Sequence, residues 1–159
     1  MTSTTFLSIV GLGWAAGMRS MTAPAALAHV LAGRAVRPRR EPARFLSSGR
    51  VAALSKLAAA GEFAGDKMPL APDRTAPFAL VGRLGSGSLV GAAVAVVNRE
   101  SAVFGAAVGA AAAVASSFAM LRVRVALPAA LGLPDLPVAV VEDAAAVGLA
   151  LVSARAAAG

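Results

Sequence analysis

The sequence contains no cysteine and no tyrosine, and only 4% of its 159 residues are aromatic. The absence of cysteine excludes disulfides and thiolate metal sites and leaves the redox compartment open. The scarcity of aromatic side chains and the lack of a recognition motif argue against nucleic-acid binding, in spite of a net charge of +7. We therefore expect no nucleic-acid partner, no metal site and no cofactor.

Charged residues are also few, at 14% of the chain, whereas 58% of the residues are hydrophobic. Soluble domains average about 25% charged residues, so this composition is typical of an integral membrane protein. The length corresponds to one domain, 1–159. A cleaved signal peptide at the start is disfavoured, because residues 1–5 carry no Lys or Arg and the apolar run resumes after Arg19.

Apolar runs and turn signals predict an all-α membrane helix bundle of about six short spans, with both chain ends in the cytoplasm. The runs cover residues 6–18, 22–33, 50–67, 77–97, 101–121 and 138–152. The first two are shorter than the ~20 residues that cross a bilayer. They are either two thin, tilted spans joined at Arg19 or include a re-entrant half-helix, and Thr22 is the expected cap of the second.

Five arginines lie between residues 34 and 44, in a short loop between two apolar runs. Short loops rich in Lys and Arg stay on the cytoplasmic side of a membrane. This loop therefore predicts the orientation of the whole bundle.

The pattern G-x-G-x-x-x-G occurs at residues 11–17 and again at residues 85–91. It suggests two inverted repeats, 1–72 and 77–159, with a binding site near the midplane, although glycines also recur by chance in such a chain. Glycines spaced as G-x-x-x-G let helices approach closely in lipid and can also form a homodimer face. The pairs are Gly13/Gly17, Gly61/Gly65, Gly87/Gly91 and Gly105/Gly109.

A set of ionisable residues lies at or within the apolar runs, where each charge costs roughly 2.5–3.5 kcal/mol. Such a set either binds an ion, a proton or a charged group, or forms buried ion pairs that hold the bundle together. No base stands at a telling distance from a serine, so we expect no enzyme and no catalytic residue. The candidate binding residues are Arg19, Glu62, Asp66, Lys67, Arg83, Glu142 and Asp143.

The most informative stretch is residues 61–69, GEFAGDKMP. Glu62 and Asp66 are four residues apart, so on a helix they share one face. Two carboxylates on one face in an apolar setting require a cation or a proton between them. The stretch therefore predicts the centre of a binding site.

Several motifs together resemble the bacterial membrane-protein family called domain of unknown function 4126, in the same order and over nearly the whole chain. They are residues 17–24 with Arg19, residues 61–69, residues 82–87 with Arg83, and residues 141–144 with Glu142 and Asp143. The resemblance implies a small multi-pass protein of the bacterial inner membrane. It implies no established activity.

The sequence thus favours a small transporter or permease-like module in which the buried cluster binds an ion, a proton or a charged small molecule. The alternative is a non-transporting membrane scaffold or lipid-binding protein. The expected partners are the lipid bilayer and an unidentified ion, lipid headgroup or small molecule.

Overall fold

The computed structural model describes residues 1–65, 77–131 and 135–159. These residues form seven α-helices and no strand, so the predicted all-α class is correct. The six apolar runs of the sequence correspond to six of the helices, and the short third helix at the end of the arginine-rich loop was not predicted. The helices are α1 (Ser3–Met18), α2 (Thr22–Ala32), α3 (Ala43–Leu46), α4 (Gly49–Gly65), α5 (Pro77–Val97), α6 (Ala102–Leu131) and α7 (Asp135–Ala158).

Local sequence explains most of the helix ends. Thr2 caps α1, because its side-chain oxygen accepts a hydrogen bond from the Thr5 backbone N–H at 3.2 Å. Helix α5 begins at Pro77, whose missing N–H costs nothing in a first turn, and it ends at Val97, as predicted. The Asn98 side chain then donates to the Val94 carbonyl at 2.9 Å and closes the last turn.

The packing of the bundle depends on glycine and alanine rather than on large side chains. Helix α1 is central and contacts α5, α6 and α7, while α2 contacts α4 and α7. A Cβ placed on Gly13 or on Gly87 would lie 2.5 Å from the Gly109 carbonyl oxygen. The two copies of the glycine pattern thus bring α1 and α5 against the same point of α6.

One of the predicted glycine pairs does not pack in this way. A Cβ on Gly61 or on Gly65 would have no described residue within 4 Å. The prediction of a close approach at this pair is therefore wrong among the described residues, because α4 turns these glycines outward.

One end of the bundle, which we call the arginine-rich end, is formed by the chain start, the 34–40 loop, the α5–α6 turn and the end of α7. The Met1 amino group lies 2.9 Å from a carboxylate oxygen of Glu100. The Asn98 side chain donates to the Ala157 carbonyl at 3.2 Å. Arg34 lines a cavity with Val97 and Arg99. Helix α1 therefore begins, and α2 finishes, at the same end of the bundle.

Helices α1 and α2 consequently form a hairpin whose turn, residues 19–21, lies inside the bundle. The turn contacts Ser86 near the middle of α5. Arg19 is only 3% exposed. The break between the two short apolar runs that the sequence predicted at Arg19 is therefore a buried turn between α1 and α2.

Three helical segments of the described chain are long and apolar enough to cross a membrane: Pro77–Val97, Ala102–Arg124 and Pro137–Ala158. Large apolar side chains also face outward along them, among them Phe78, which is 84% exposed, and Val103, which is 80% exposed. An apolar exterior of this kind is what lipid contact requires, since a water-soluble protein exposes few contiguous apolar patches.

Candidate functional site at the α1–α2 turn

The backbone leaves the helical conformation at Arg19, which ends α1 with φ −145° and ψ 113°. Helix α2 then starts after Met21, and no side chain of its own residues caps it. The predicted cap, Thr22, is instead the first helical residue, and its buried hydroxyl has no hydrogen-bond partner among the described residues. The start of α2 therefore requires a cap from elsewhere in the bundle.

Glu62 of α4 supplies that cap. Its Oε1 accepts hydrogen bonds from the Ser20 backbone N–H at 2.8 Å and from the Ser20 hydroxyl at 3.0 Å. Its Oε2 accepts from the Met21 backbone N–H at 2.9 Å. A carboxylate is favourable here because the unpaired N–H groups and the helix dipole make a helix N-terminus partly positive.

Arg19 pairs with Asp143 of α7. The Arg19 Nε donates to Asp143 Oδ1 at 2.8 Å, and Nη2 donates to the same oxygen at 2.5 Å. The side chains are 3% and 17% exposed, so this ion pair is largely removed from solvent. The guanidinium carbon also lies 5.0 Å from the centre of the Phe63 ring, within the range of a cation–π contact.

Helix α5 completes the environment of the turn. The Ser86 hydroxyl donates a hydrogen bond to the Ser20 carbonyl. Arg83 precedes Ser86 by three residues, so both lie on one face of α5, and Arg83 is buried at 6% exposure. The turn is thus held by side chains from α4, α5 and α7.

Glu142 has a different environment from its neighbour Asp143, because adjacent helix residues project about 100° apart. Its Oε2 lies 4.0 Å from Nη1 of Arg124 on α6. Both side chains line a cavity of about 260 Å³ whose other walls are mainly apolar, including Met18 and Val141.

The structure therefore brings Arg19, Glu62 and Asp143 together at one turn and places Glu142 in an adjacent cavity. Asp66 and Lys67 lie outside the described residues. Ser20 and Ser86 also belong to the site, and sequence reasoning missed them, because their positions next to Arg19 and in the second G-x-G-x-x-x-G stretch do not indicate their hydrogen bonds. Arg124, which approaches Glu142, was not among the candidate binding residues either.

The turn presents hydrogen-bond donors: the Ser20 and Met21 backbone amides, the Arg19 guanidinium and the Ser20 hydroxyl. Donors of this kind bind negatively charged groups, and here two internal carboxylates accept from them. Among the described residues, no three His, Asp or Glu side chains converge as a metal site would require.

Over the described ranges, these features define a helical protein with three helices long and apolar enough to span a membrane, built around a polar turn between two short helices. The chain matches the family described as Domain of unknown function (DUF4126) over residues 6–157, and it belongs to that family. No protein of curated function matches the chain, and no solved structure does.

Proposed function

We propose that this protein is a small membrane transporter or permease-like module whose binding site is the α1–α2 turn, and whose ligand is an anionic group or a proton. One observation carries the proposal. A guanidinium and two carboxylates, from Arg19, Asp143 and Glu62, meet at a helix break inside an apolar bundle. Discontinuous helices with ionisable partners near the membrane midplane are the usual binding sites of secondary transporters.

In this proposal the carboxylates of Glu62 and Asp143 accept the hydrogen bonds of the turn when no ligand is bound. An anionic ligand competes with Asp143 for Arg19, or a proton neutralises Asp143 and weakens its attraction to Arg19. Either event leaves α7 less strongly attached to the turn. The polar cluster thereby couples ligand binding to the packing of α1 and α2 against α7.

The direction of the helices supports an inverted repeat of 1–72 and 77–159. Helix α1 leaves the arginine-rich end, whereas α5 runs toward it, and both pack their glycine pattern against Gly109. Helix α2 returns to that end, whereas α6 leaves it. Helix α4 leaves it, whereas α7 ends there beside Asn98. Each helix of the first half thus runs opposite to its counterpart in the second.

Transport is tested in proteoliposomes that contain a trapped pH-sensitive dye. Gradients of protons, of isotopically labelled small carboxylates and of labelled phosphate are imposed in turn. We expect a flux above that of protein-free liposomes. Asp143→Asn should reduce it about tenfold or more, the equivalent of about 1.4 kcal/mol. This variant keeps the Oδ1 atom that accepts both Arg19 bonds and removes the charge.

Glu100→Gln is the matched control, because Glu100 pairs with the Met1 amino group at the arginine-rich end, away from the turn. It should retain the wild-type flux. A wild-type flux equal to that of protein-free liposomes for every solute, or an Asp143→Asn flux equal to the wild type, would contradict the transporter proposal.

A specific observation favours the second candidate, a non-transporting membrane scaffold. Both carboxylate oxygens of Glu62 already accept hydrogen bonds within the protein. A fully satisfied polar network rigidifies a core without binding anything. In that case Asp143→Asn would lower the stability of the protein, and neither the wild type nor the variant would show a solute flux above that of protein-free liposomes.

We further propose a multi-pass topology in a bacterial inner membrane, with the arginine-rich end in the cytoplasm. The chain has no cysteine, so single cysteines can be introduced cleanly. Ala35→Cys, in the exposed part of the 34–40 loop, should react with an impermeant maleimide only in inside-out vesicles. Ala126→Cys, exposed toward the opposite end of α6, should react only in right-side-out vesicles. Labelling of Ala35→Cys from the outside would reverse the orientation.

A further inference from the structure

The arginine-rich end contains a cavity that the turn does not involve. Its volume is about 600 Å³. Small-ligand sites typically have volumes of about 300–1,000 Å³, so the cavity is large enough to hold a small ligand. The lining combines five arginines with the last two apolar residues of α5. These residues are Arg34, Arg37, Arg39, Arg40, Arg99, Val96 and Val97, together with Val36 and Pro38.

These five arginines have no ion-pair partner among the residues that the structure describes. None of the ion pairs among the described residues involves any of the five. Two described acids are sequence neighbours of these arginines, and each contacts another group: Glu100 pairs with the Met1 amino group, and Glu41 accepts from the Phe45 backbone N–H at 3.0 Å. The cavity is therefore left with a strong local positive charge.

The backbone at Arg99 gives an independent indication that the side chain at this position has a role. Its φ is 60°, the left-handed conformation that follows a helix end and that strongly favours glycine. The chain contains 16 glycines, yet an arginine occupies this position. A residue held in an unfavourable conformation points to a role for its side chain.

The cavity is also placed where a membrane surface would be. The span Pro77–Val97 ends at the apolar side of the cavity, and Arg99 follows two residues later. A phosphate bound to the arginines would stand just beyond the hydrocarbon region, with Val96 and Val97 beside the first carbons of an acyl chain. Basic pockets at the cytoplasmic end of membrane helices suit anionic headgroups.

We propose that this cavity binds a phosphate-bearing anion and that its source is the headgroup of an anionic phospholipid. The proposal concerns a site separate from the α1–α2 turn and does not depend on transport. It is tested by thermal unfolding of the full chain in neutral detergent. Short-chain phosphatidylglycerol, short-chain phosphatidylcholine, glycerol phosphate and inorganic phosphate are titrated separately.

We expect phosphatidylglycerol to raise the melting temperature and phosphatidylcholine to do so far less. Arg99→Gly should weaken the affinity for phosphatidylglycerol about fivefold, as the loss of one interfacial basic residue predicts. Its melting temperature without lipid should be unchanged or higher, because glycine adopts the left-handed conformation without strain. Arg39→Gln, at an exposed loop position, should weaken the affinity similarly and serves as the second variant.

Arg155→Gln is the matched control, since Arg155 is exposed near the end of α7 but does not line the cavity. It should bind phosphatidylglycerol as the wild type does. If glycerol phosphate or inorganic phosphate stabilises the protein as well as phosphatidylglycerol does, the phosphate site is upheld but its source is soluble. Equal effects of phosphatidylcholine and phosphatidylglycerol, or equal losses in Arg155→Gln and Arg99→Gly, would overturn the proposal.

Discussion

Glu62→Gln should lower the free energy of unfolding by about 1–3 kcal/mol, the cost of leaving a buried polar group without its partner. The substitution keeps the shape of the side chain and removes one acceptor. In the wild type each carboxylate oxygen accepts from a different backbone N–H, that of Ser20 or that of Met21. In the glutamine variant the side-chain NH₂ must face one of those two N–H groups, so two donors oppose each other at the start of α2.

The measurement is unfolding in mixed micelles with increasing denaturing detergent, followed by helical circular dichroism. Glu41→Gln is the matched control, because Glu41 accepts a single backbone hydrogen bond through Oε2, which a glutamine carbonyl can replace. It should unfold as the wild type does. Equal stability of Glu62→Gln and the wild type would show that α2 does not depend on the Glu62 cap.

The position of the break in the first apolar region was predictable from the sequence, but its capping was not. The two short apolar runs on either side of Arg19 indicate that the helix is interrupted, and α2 does begin at Thr22. The local rule then assigns the cap to Thr22, since it considers only neighbouring side chains. The actual cap comes from Glu62, about 40 residues later in the chain, and only the packing of α4 against α2 brings it there.

The partners of the charged residues could not be predicted from the sequence either. Composition identifies Arg19, Glu142 and Asp143 as costly charges in apolar segments. It does not say which of two adjacent acids faces Arg19, because that depends on the rotation of α7 about its axis. In the structure Asp143 faces Arg19, and Glu142 approaches Arg124. Side-chain periodicity could separate the two acids but could not assign their partners.

Helix boundaries were predicted best where turn residues act locally, as at Pro77 and at the turn after Val97. The sequence correctly predicted that glycines allow close helix packing, but one of the four predicted pairs, Gly61/Gly65, does not pack in this way against any described residue. Gly87 and Gly109 face a neighbouring backbone, whereas Gly61 faces no described residue within 4 Å. The spacing of glycines indicates a smooth helix surface, and the fold decides whether another helix covers it.

Gly109→Leu should destabilise the bundle by about 3 kcal/mol or more, at the upper end of the usual cost of overpacking. A Cβ at Gly109 would press on the Gly87 carbonyl and would lie 3.2 Å from the Cα of Gly91. These neighbours are backbone atoms, which cannot move aside as a flexible side chain can. Helix α5 would have to separate from α6, and the contact of Gly13 on α1 with the Gly109 carbonyl would be strained as well.

The effect is measured by the same detergent unfolding and by the fraction of monodisperse protein after purification. Gly85→Leu is the matched control, since a Cβ on Gly85 would have no described residue within 4 Å. It should be neutral or stabilising by up to about 1 kcal/mol, because leucine favours the helix more than glycine does. If both variants unfold alike, the cost of Gly109→Leu comes from inserting a bulky residue into a helix surface and not from the α5–α6 contact. The close approach at Gly109 would then have no part in holding the three helices together.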